Sequence, residues 1–362
     1  MNTLLGAPAD RLPFVEWGSF ASCFGFSRWD RHIGADTDPR QYFGFDNAEL
    51  GGCYETVPIE WFALPPFREK TLPNDGRYNR RIDHRFGEVV RELPRDPQCP
   101  MEVRVFEDHP VKSRDDWRGL KERFRLETTC RFPDDWDRWC ARSKTATNPI
   151  GLVLRGPSKA AQSALGLEGE AGLLFSVYDR PEFVKEILDH FAVLSLICAE
   201  KALAEASIDL TVVIDELAGN KGLLFSPEIV EELFLPSIRR FADLVRSHGV
   251  ATVLLYQRGN LSAGFDLYRR SGINGLIGVE DANDMPLGSL IDNYGDSICI
   301  VGGIDGRTLR GTTEEIDREV EEKVAIARSG RVVPCLSTHV LPEIEFKKYS
   351  YYANYLRRAV GA

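Results

Sequence analysis

At 362 residues, with 43% hydrophobic and 28% charged content, the chain can bury one large α/β core or two smaller ones and has an ordinary globular composition. A formal net charge of −10 with Lys and Arg dispersed argues against nucleic acid or an anionic membrane as partner. The first thirteen residues lack the basic-then-apolar order of a secretory signal, the most apolar stretch (191–199) is too short to span a bilayer, and the eight cysteines contain no Cys-x-x-Cys pair, so a cytoplasmic location with reduced thiols is expected.

All six tryptophans (17, 29, 61, 117, 136 and 139) precede residue 145, and a regular βα rhythm follows it. Residues 1–145 therefore read as an N-terminal extension that adds one or two strands to the main body and covers one end of it. Within it, Asn74-Asp75-Gly76 and Phe86-Gly87 are turn signals separating short strands between residues 67 and 93, a small antiparallel meander. A short helix is expected over 115–124. Residues 146–362 form the main body. Strands are predicted at 150–154, 210–214, 251–255, 273–279, 297–301 and 332–336. Helices are predicted at 181–206, 228–248 with a break at Pro236, 312–328 with a Thr312/Glu315 capping box, and 346–360. Six strands alternating with helices, plus one or two from the extension, make an eight-stranded (β/α)8 TIM-type barrel the best fit. A doubly wound open sheet is the alternative, but it lacks a phosphate fingerprint after its first strand.

A parallel barrel builds its active site from the loops after its strands. Those positions hold Arg155, then Asp215 and Glu216, then Tyr256, Arg258 and Asn260, then Glu280 and Asp281, then Asp305, and finally Cys335, Ser337, Thr338 and His339. Each also has a plainer reading. Asp215 or Glu216 could cap its loop or pair with Lys221, Glu280 and Asp281 could cap the helix near Met285, and Asp305 could close a turn. His339, the histidine at a predicted strand end, suits an acid, base or ligand. Cys335, inside the last strand, reads as a packed thiol. Tyr256 and Arg258 alternate on one face, so both can point into the mouth, where an Arg would balance carboxylates or grip an anionic group.

Several of these stretches together resemble the uroporphyrinogen decarboxylase superfamily over roughly 149–358. They are Ala218-Gly219, Ser226-Pro227-Glu228, Leu235-Pro236 with Arg239-Arg240, Gly259-Asn260, Val301-Gly302-Gly303-Ile304-Asp305, and His339 with Pro342-Glu343. The resemblance implies a (β/α)8 barrel and often a homodimer. The arginine-rich motif with which true decarboxylases bind the tetrapyrrole has no counterpart in residues 1–60, and their site tyrosine near 150–154 is missing. The superfamily's other branch, the cobamide-linked methyltransferases, binds zinc through a His-x-Cys pair before the Gly-Asn. Here that place reads Tyr256-Gln257-Arg258. The opening segment, with Glu16-Trp17, Trp29 and Tyr42-Phe43-Gly44-Phe45-Asp46, is closer to divergent members of this branch.

Two activities follow from the resemblance. One is methyl transfer from a small methylated compound, of the methoxy or methylamine type, to a corrinoid protein. His339 or Tyr256 would protonate the leaving atom, and Asp215 and Glu216 would orient the donor. The cobamide would ride on the partner, and a divalent metal such as zinc could be held by Glu216, Glu280 and His339. The other is decarboxylation or a related lyase reaction on a small acid, with Arg155 and Arg258 holding carboxylates; Asn260, Glu280 and Asp305 would line the site in either case. A non-catalytic binding barrel is the third reading.

Overall fold

Parallel strands curl around an apolar interior, and the chain begins by plugging one end of it. The computed structural model describes residues 1–7, 9–16, 30–34, 37, 39–46, 54–74, 76, 78–92, 104–169, 172–279, 284–338, 340 and 343–362. Helix α1 (Asn2–Leu5) sets Leu4 against the barrel interior, and Arg331 Nε donates to the Leu4 carbonyl at 2.7 Å. The extended segment 12–16 follows. Its Val15 faces the interior, whereas Phe14 packs outward among the last helices, the alternation of a strand.

Strand β1 (Glu55–Thr56) is the first stave of the main sheet. A four-stranded antiparallel sheet comes next, with β2 (Lys70–Leu72), β3 (Asn79–Ile82), β4 (Val89–Glu92) and β5 (Arg104–Asp108) in that spatial order. The predicted meander is present, and β5 is an addition to it. Residues 105–108 are all exposed, so this strand shows no inside–outside alternation to betray it. Helix α2 (Arg114–Lys121) starts at a Ser113/Asp116 capping box, and α3 (Trp136–Ser143) carries a stacked Trp136–Trp139 pair.

The βα rhythm then runs through β6 (Ile150–Arg155), α4 (Pro157–Leu165), α5 (Leu173–Asp179), α6 (Pro181–Glu205), β7 (Leu210–Ile214), α7 (Leu235–Ser247), β8 (Thr252–Tyr256) and α8 (Phe265–Arg270). It ends with β9 (Gly275–Val279), α9 (Leu287–Tyr294), β10 (Cys299–Ile304), α10 (Thr313–Ser329), β11 (Val332–Leu336) and α11 (Phe346–Val360). The break expected at Pro236 is a π-helical turn, Val230–Phe234, placed just before it. Proline has no N–H and its ring crowds the preceding carbonyls, so the ladder widens by one residue there. Strand β10 runs on through Gly302 and Gly303, which pair with Pro334 and Cys335 rather than ending the strand.

The main sheet has the order β1-β6-β7-β8-β9-β10-β11, every pair parallel. Leu210, Val212, Leu254, Ile277, Val301 and Val333 fill the interior, and Val213, Val253, Leu255, Leu276, Ile300 and Val332 pack against the helices. Segment 12–16 stands beside β11, where Glu16 Oε2 accepts from the Leu336 amide at 3.2 Å. The fold is an α/β TIM-type barrel with an N-terminal antiparallel sheet. Since α1 closes the end where the strands begin, the open mouth lies at their carboxyl ends.

Candidate active site

Most of the mouth's described chemistry comes from the ends of β6, β7 and β8. Strand β7 stops at Asp215-Glu216, and neighbouring residues of a strand point to opposite faces. Leu210, Val212 and Ile214 form the inward row, so Glu216 extends that row into the mouth. Asp215 extends the outward row toward the helices.

Two cations hold Glu216. Lys159, in the first turn of α4, pairs with Oε2, and Arg258 Nη2 donates to Oε1 at 2.9 Å. Burial works to raise the Glu216 pKa, but the two positive charges outweigh it and the carboxyl ends below its ordinary value. The loop beyond is braced by side chains. Gln162 Nε2 donates to the Glu216 carbonyl at 2.7 Å, the Leu217 amide donates to Gln257 Oε1 at 2.8 Å, and Gln257 Nε2 donates to the Ala218 carbonyl at 3.3 Å. The Asn260 amide donates to the Gly219 carbonyl at 2.9 Å. Gly259 lets the two loops approach, with φ +85 and a hypothetical Cβ only 2.7 Å from the Gly219 oxygen. Tyr256 packs on the barrel interior at the end of β8, on the same row as the exposed Arg258. Glu216, Tyr256 and Arg258 therefore share one side of the mouth.

Asp215 sits elsewhere. It has no exposed surface, accepts from the Ser158 hydroxyl, and meets Tyr268 of α8 inside the helix layer. Burial raises its pKa to about 7 against the opposing pull of the Glu216 and Lys159 amides. Gly156 makes room for it, since a Cβ there would lie 2.7 Å from Asp215 Oδ1. Neither Asp215 Oδ2 nor Tyr268 Oη has a hydrogen-bond partner among the described residues.

Asp305 also stays out of the mouth. Its Oδ1 accepts from the Arg307 amide at 2.9 Å and its carboxylate pairs with the Arg307 guanidinium at 2.6 Å, next to Lys323 of α10. It closes the turn after β10, the plainer of its two readings. Asn260 Oδ1 accepts from the Ser262 amide at 3.0 Å and so stabilises its own loop. Ser337 Oγ accepts from the Gly303 amide at 2.8 Å and donates to the Val279 carbonyl, stitching three strand ends together. Cys335 is buried in the barrel interior. Glu280, Asp281, His339 and Pro342 lie outside the described residues.

Strand-end reasoning missed Lys159, Ser158 and Gln162, and also Gln257 and Tyr268; Lys159, Gln162 and Gln257 hold Glu216 and its loop, whereas Ser158 and Tyr268 meet Asp215 in the helix layer. A signal existed for the first three. Gly156-Pro157-Ser158-Lys159 opens a helix directly after a barrel strand, and the first turn of such a helix lies against the end of the next strand.

The positions that would carry zinc in the methyltransferase branch do not fit it here. Tyr256 and Arg258 stand where the His and the Cys would be, a phenol and a guanidinium paired with Glu216, and no group of three or more His, Cys, Asp or Glu among the described residues could hold a metal ion. No described helix is long and apolar enough to cross a membrane.

The chain resembles known proteins in three respects. A methyltransferase from Methanosarcina mazei has a similar structure, with a TM-score of 0.59 and 16% identity, covering 99% of this chain and 96% of that one. A B12-independent methionine synthase from Shewanella sp. W3-18-1, in complex with selenomethionine, gives a TM-score of 0.42 and 14% identity over 89% of this chain and 83% of that one. No curated protein matches the chain in sequence. Residues 137–358 match the model of the uroporphyrinogen decarboxylase (URO-D) family. With most of its length covered by that match and the barrel beneath it, the chain belongs to the uroporphyrinogen decarboxylase family.

Proposed function

We propose that the chain transfers a methyl group from a small methoxy or methylamine compound to a corrinoid protein. The observation that carries this reading is the Lys159–Glu216–Arg258 bridge on the side of the mouth where β8 ends at Tyr256, which sets a carboxylate, two cations and a phenol along one side of the mouth. The likeness to a methyltransferase over 99% of the chain, N-terminal extension included, supports it.

In methyl transfer the donor's carbon–oxygen or carbon–nitrogen bond breaks, its electron pair stays on the heteroatom, and that atom takes up a proton. Tyr256 donates the proton, which water later restores, and His339 is the second candidate for that role. Glu216, fixed by its two cations, orients the donor, and Arg258 offsets charge that develops on the leaving atom. The corrinoid of the partner protein supplies, from its reduced cobalt, the electron pair that accepts the methyl group. Glu216 is already paired twice, so no step is assigned to a metal.

The purified chain, incubated with a reduced corrinoid protein and a panel of methoxy and methylamine donors, is expected to produce the methylated corrinoid spectrum. Tyr256→Phe is expected to slow the reaction by about 100-fold, the usual size of an acid–base contribution. Failure of every donor would defeat the proposal.

One observation favours decarboxylation of a small acid as a second reading. The described mouth is net positive, with Arg155, Lys159 and Arg258 around Glu216. Release of carbon dioxide without a corrinoid protein would identify that activity.

A further inference from the structure

The end of β7 and the first turn of α4 meet at two adjacent contacts. Ser158 donates to Asp215 and Lys159 to Glu216, each across 57 positions of chain. The second contact faces the mouth, where Arg258 also reaches Glu216. The first is sealed in the helix layer, and neither Ser158 nor Asp215 has exposed surface.

Helix α4 begins without a cap of its own. Its N-cap is Gly156, which has no side chain, and Pro157 follows with no N–H. A Ser or Asp at the N-cap would accept from the amide two or three places on. Asp215 stands in that place from another strand. A Cβ on Gly156 would lie 2.7 Å from Asp215 Oδ1, and the Lys159 amide, three places after Gly156, donates to the Asp215 carboxyl. The Glu216 amide donates to it as well. One buried carboxyl therefore grips the backbone of both members of the Lys159–Glu216 pair. Its charge also suits the positive end of a helix. The Gly156 amide, donating to the Ile214 carbonyl at 2.7 Å, ties the same helix start to β7 a second time.

We propose that Asp215 is a positioning residue: it caps α4 from the end of β7 and thereby sets Lys159 against Glu216 in the mouth. This rests on the reading of the mouth as an active site and concerns how its ion pair is held. Asp215 thus serves the site from behind, without touching what enters it, while Glu216 faces the mouth.

Trace acetylation of the full chain with acetic anhydride at about pH 8, read by peptide mass spectrometry as the ratio of Lys159 to exposed Lys221, tests this. It needs no methyl donor and no corrinoid protein, so its outcome is independent of whether methyl transfer occurs. An ammonium held by a carboxylate keeps its proton and reacts more slowly than a free one. Glu216→Gln releases Lys159 and is expected to raise the ratio about 5-fold over wild type. Asp215→Leu fills the space but accepts no hydrogen bond, and is expected to reach the same ratio. Asp215→Asn keeps an oxygen for the two amides and is expected to stay within about 2-fold of wild type. Should Asp215→Leu fail to fold, amide proton shifts decide. Those of Lys159 and Glu216 are expected to move upfield in Asp215→Asn, whose neutral oxygen is a weaker acceptor than a carboxylate. A wild-type ratio in Glu216→Gln or Asp215→Leu, a fully released Lys159 in Asp215→Asn, or unmoved shifts of the two amides overturns the proposal.

Discussion

Three buried carboxyls give the fold an unusual dependence on pH. Glu16, in the seam beside β11, is pushed up to about 8 by burial, despite hydrogen bonds from the Tyr352 hydroxyl and the Leu336 amide. Glu88 and Asp215 are each raised to about 7, again chiefly by burial. A carboxyl raised in the folded state binds its proton more tightly there than in the unfolded chain. Its contribution is complete at low pH and is lost as pH rises to the folded pKa. His109 and His190 are lowered by burial and act in the opposite sense; still half protonated in the unfolded chain at pH 6.5, they return about 0.4 kcal/mol each above it. The carboxyls dominate the window from pH 6.5 to 8. At about 1.4 kcal/mol per pH unit, Glu16 loses about 2 kcal/mol there, and Glu88 and Asp215 about 0.7 kcal/mol each. Urea unfolding followed by tryptophan fluorescence at the two pH values is expected to show a loss of about 3 kcal/mol. Glu16→Gln keeps an oxygen to accept from the Leu336 amide, turns its NH2 toward the Tyr352 hydroxyl, whose oxygen can accept, and removes the ionisation, so its loss over the same window shrinks to about 1 kcal/mol. A wild-type stability that is flat or rises between pH 6.5 and 8 would refute the argument.

Two further substitutions probe single contacts. Ser158→Ala removes the hydroxyl that donates to fully buried Asp215 and leaves Oδ1 short of a partner; equilibrium unfolding is expected to show a loss of about 1–3 kcal/mol. Thr312→Ala opens the capping box at the start of α10 and is expected to cost about 1 kcal/mol by the same measurement, with no change in activity because the box closes between Thr312 and Glu315 and holds none of Glu216, Tyr256 or Arg258.

Much of the barrel was legible because its signals are local. The strands at 210–214 and 332–336 and the helix at 346–360 match the observed boundaries, since apolar strand runs and helix caps are read within a few residues. Strand β5 was not legible, because an exposed strand has no buried face to mark it. The π-helical turn before Pro236 was foreseen only as a break, since the proline states that the ladder must yield but not how.

Sequence alone determined the alternation of strands and helices in the main body, the family and the set of ionisable residues at the strand ends. Each of these depends on the pattern along a single stretch of chain. Tertiary structure decided which of those residues meet. The adjacent Asp215 and Glu216 part to opposite faces of one strand. Asp305 is claimed by Arg307, and Lys159 reaches Glu216 from a helix 57 positions earlier. Arg155 lies against Phe86, which a turn of the separate antiparallel sheet brings over it, and against Phe62 from the segment before that sheet. Charge and burial are set by what surrounds a side chain in space, and those surroundings come from segments that sequence distance keeps apart.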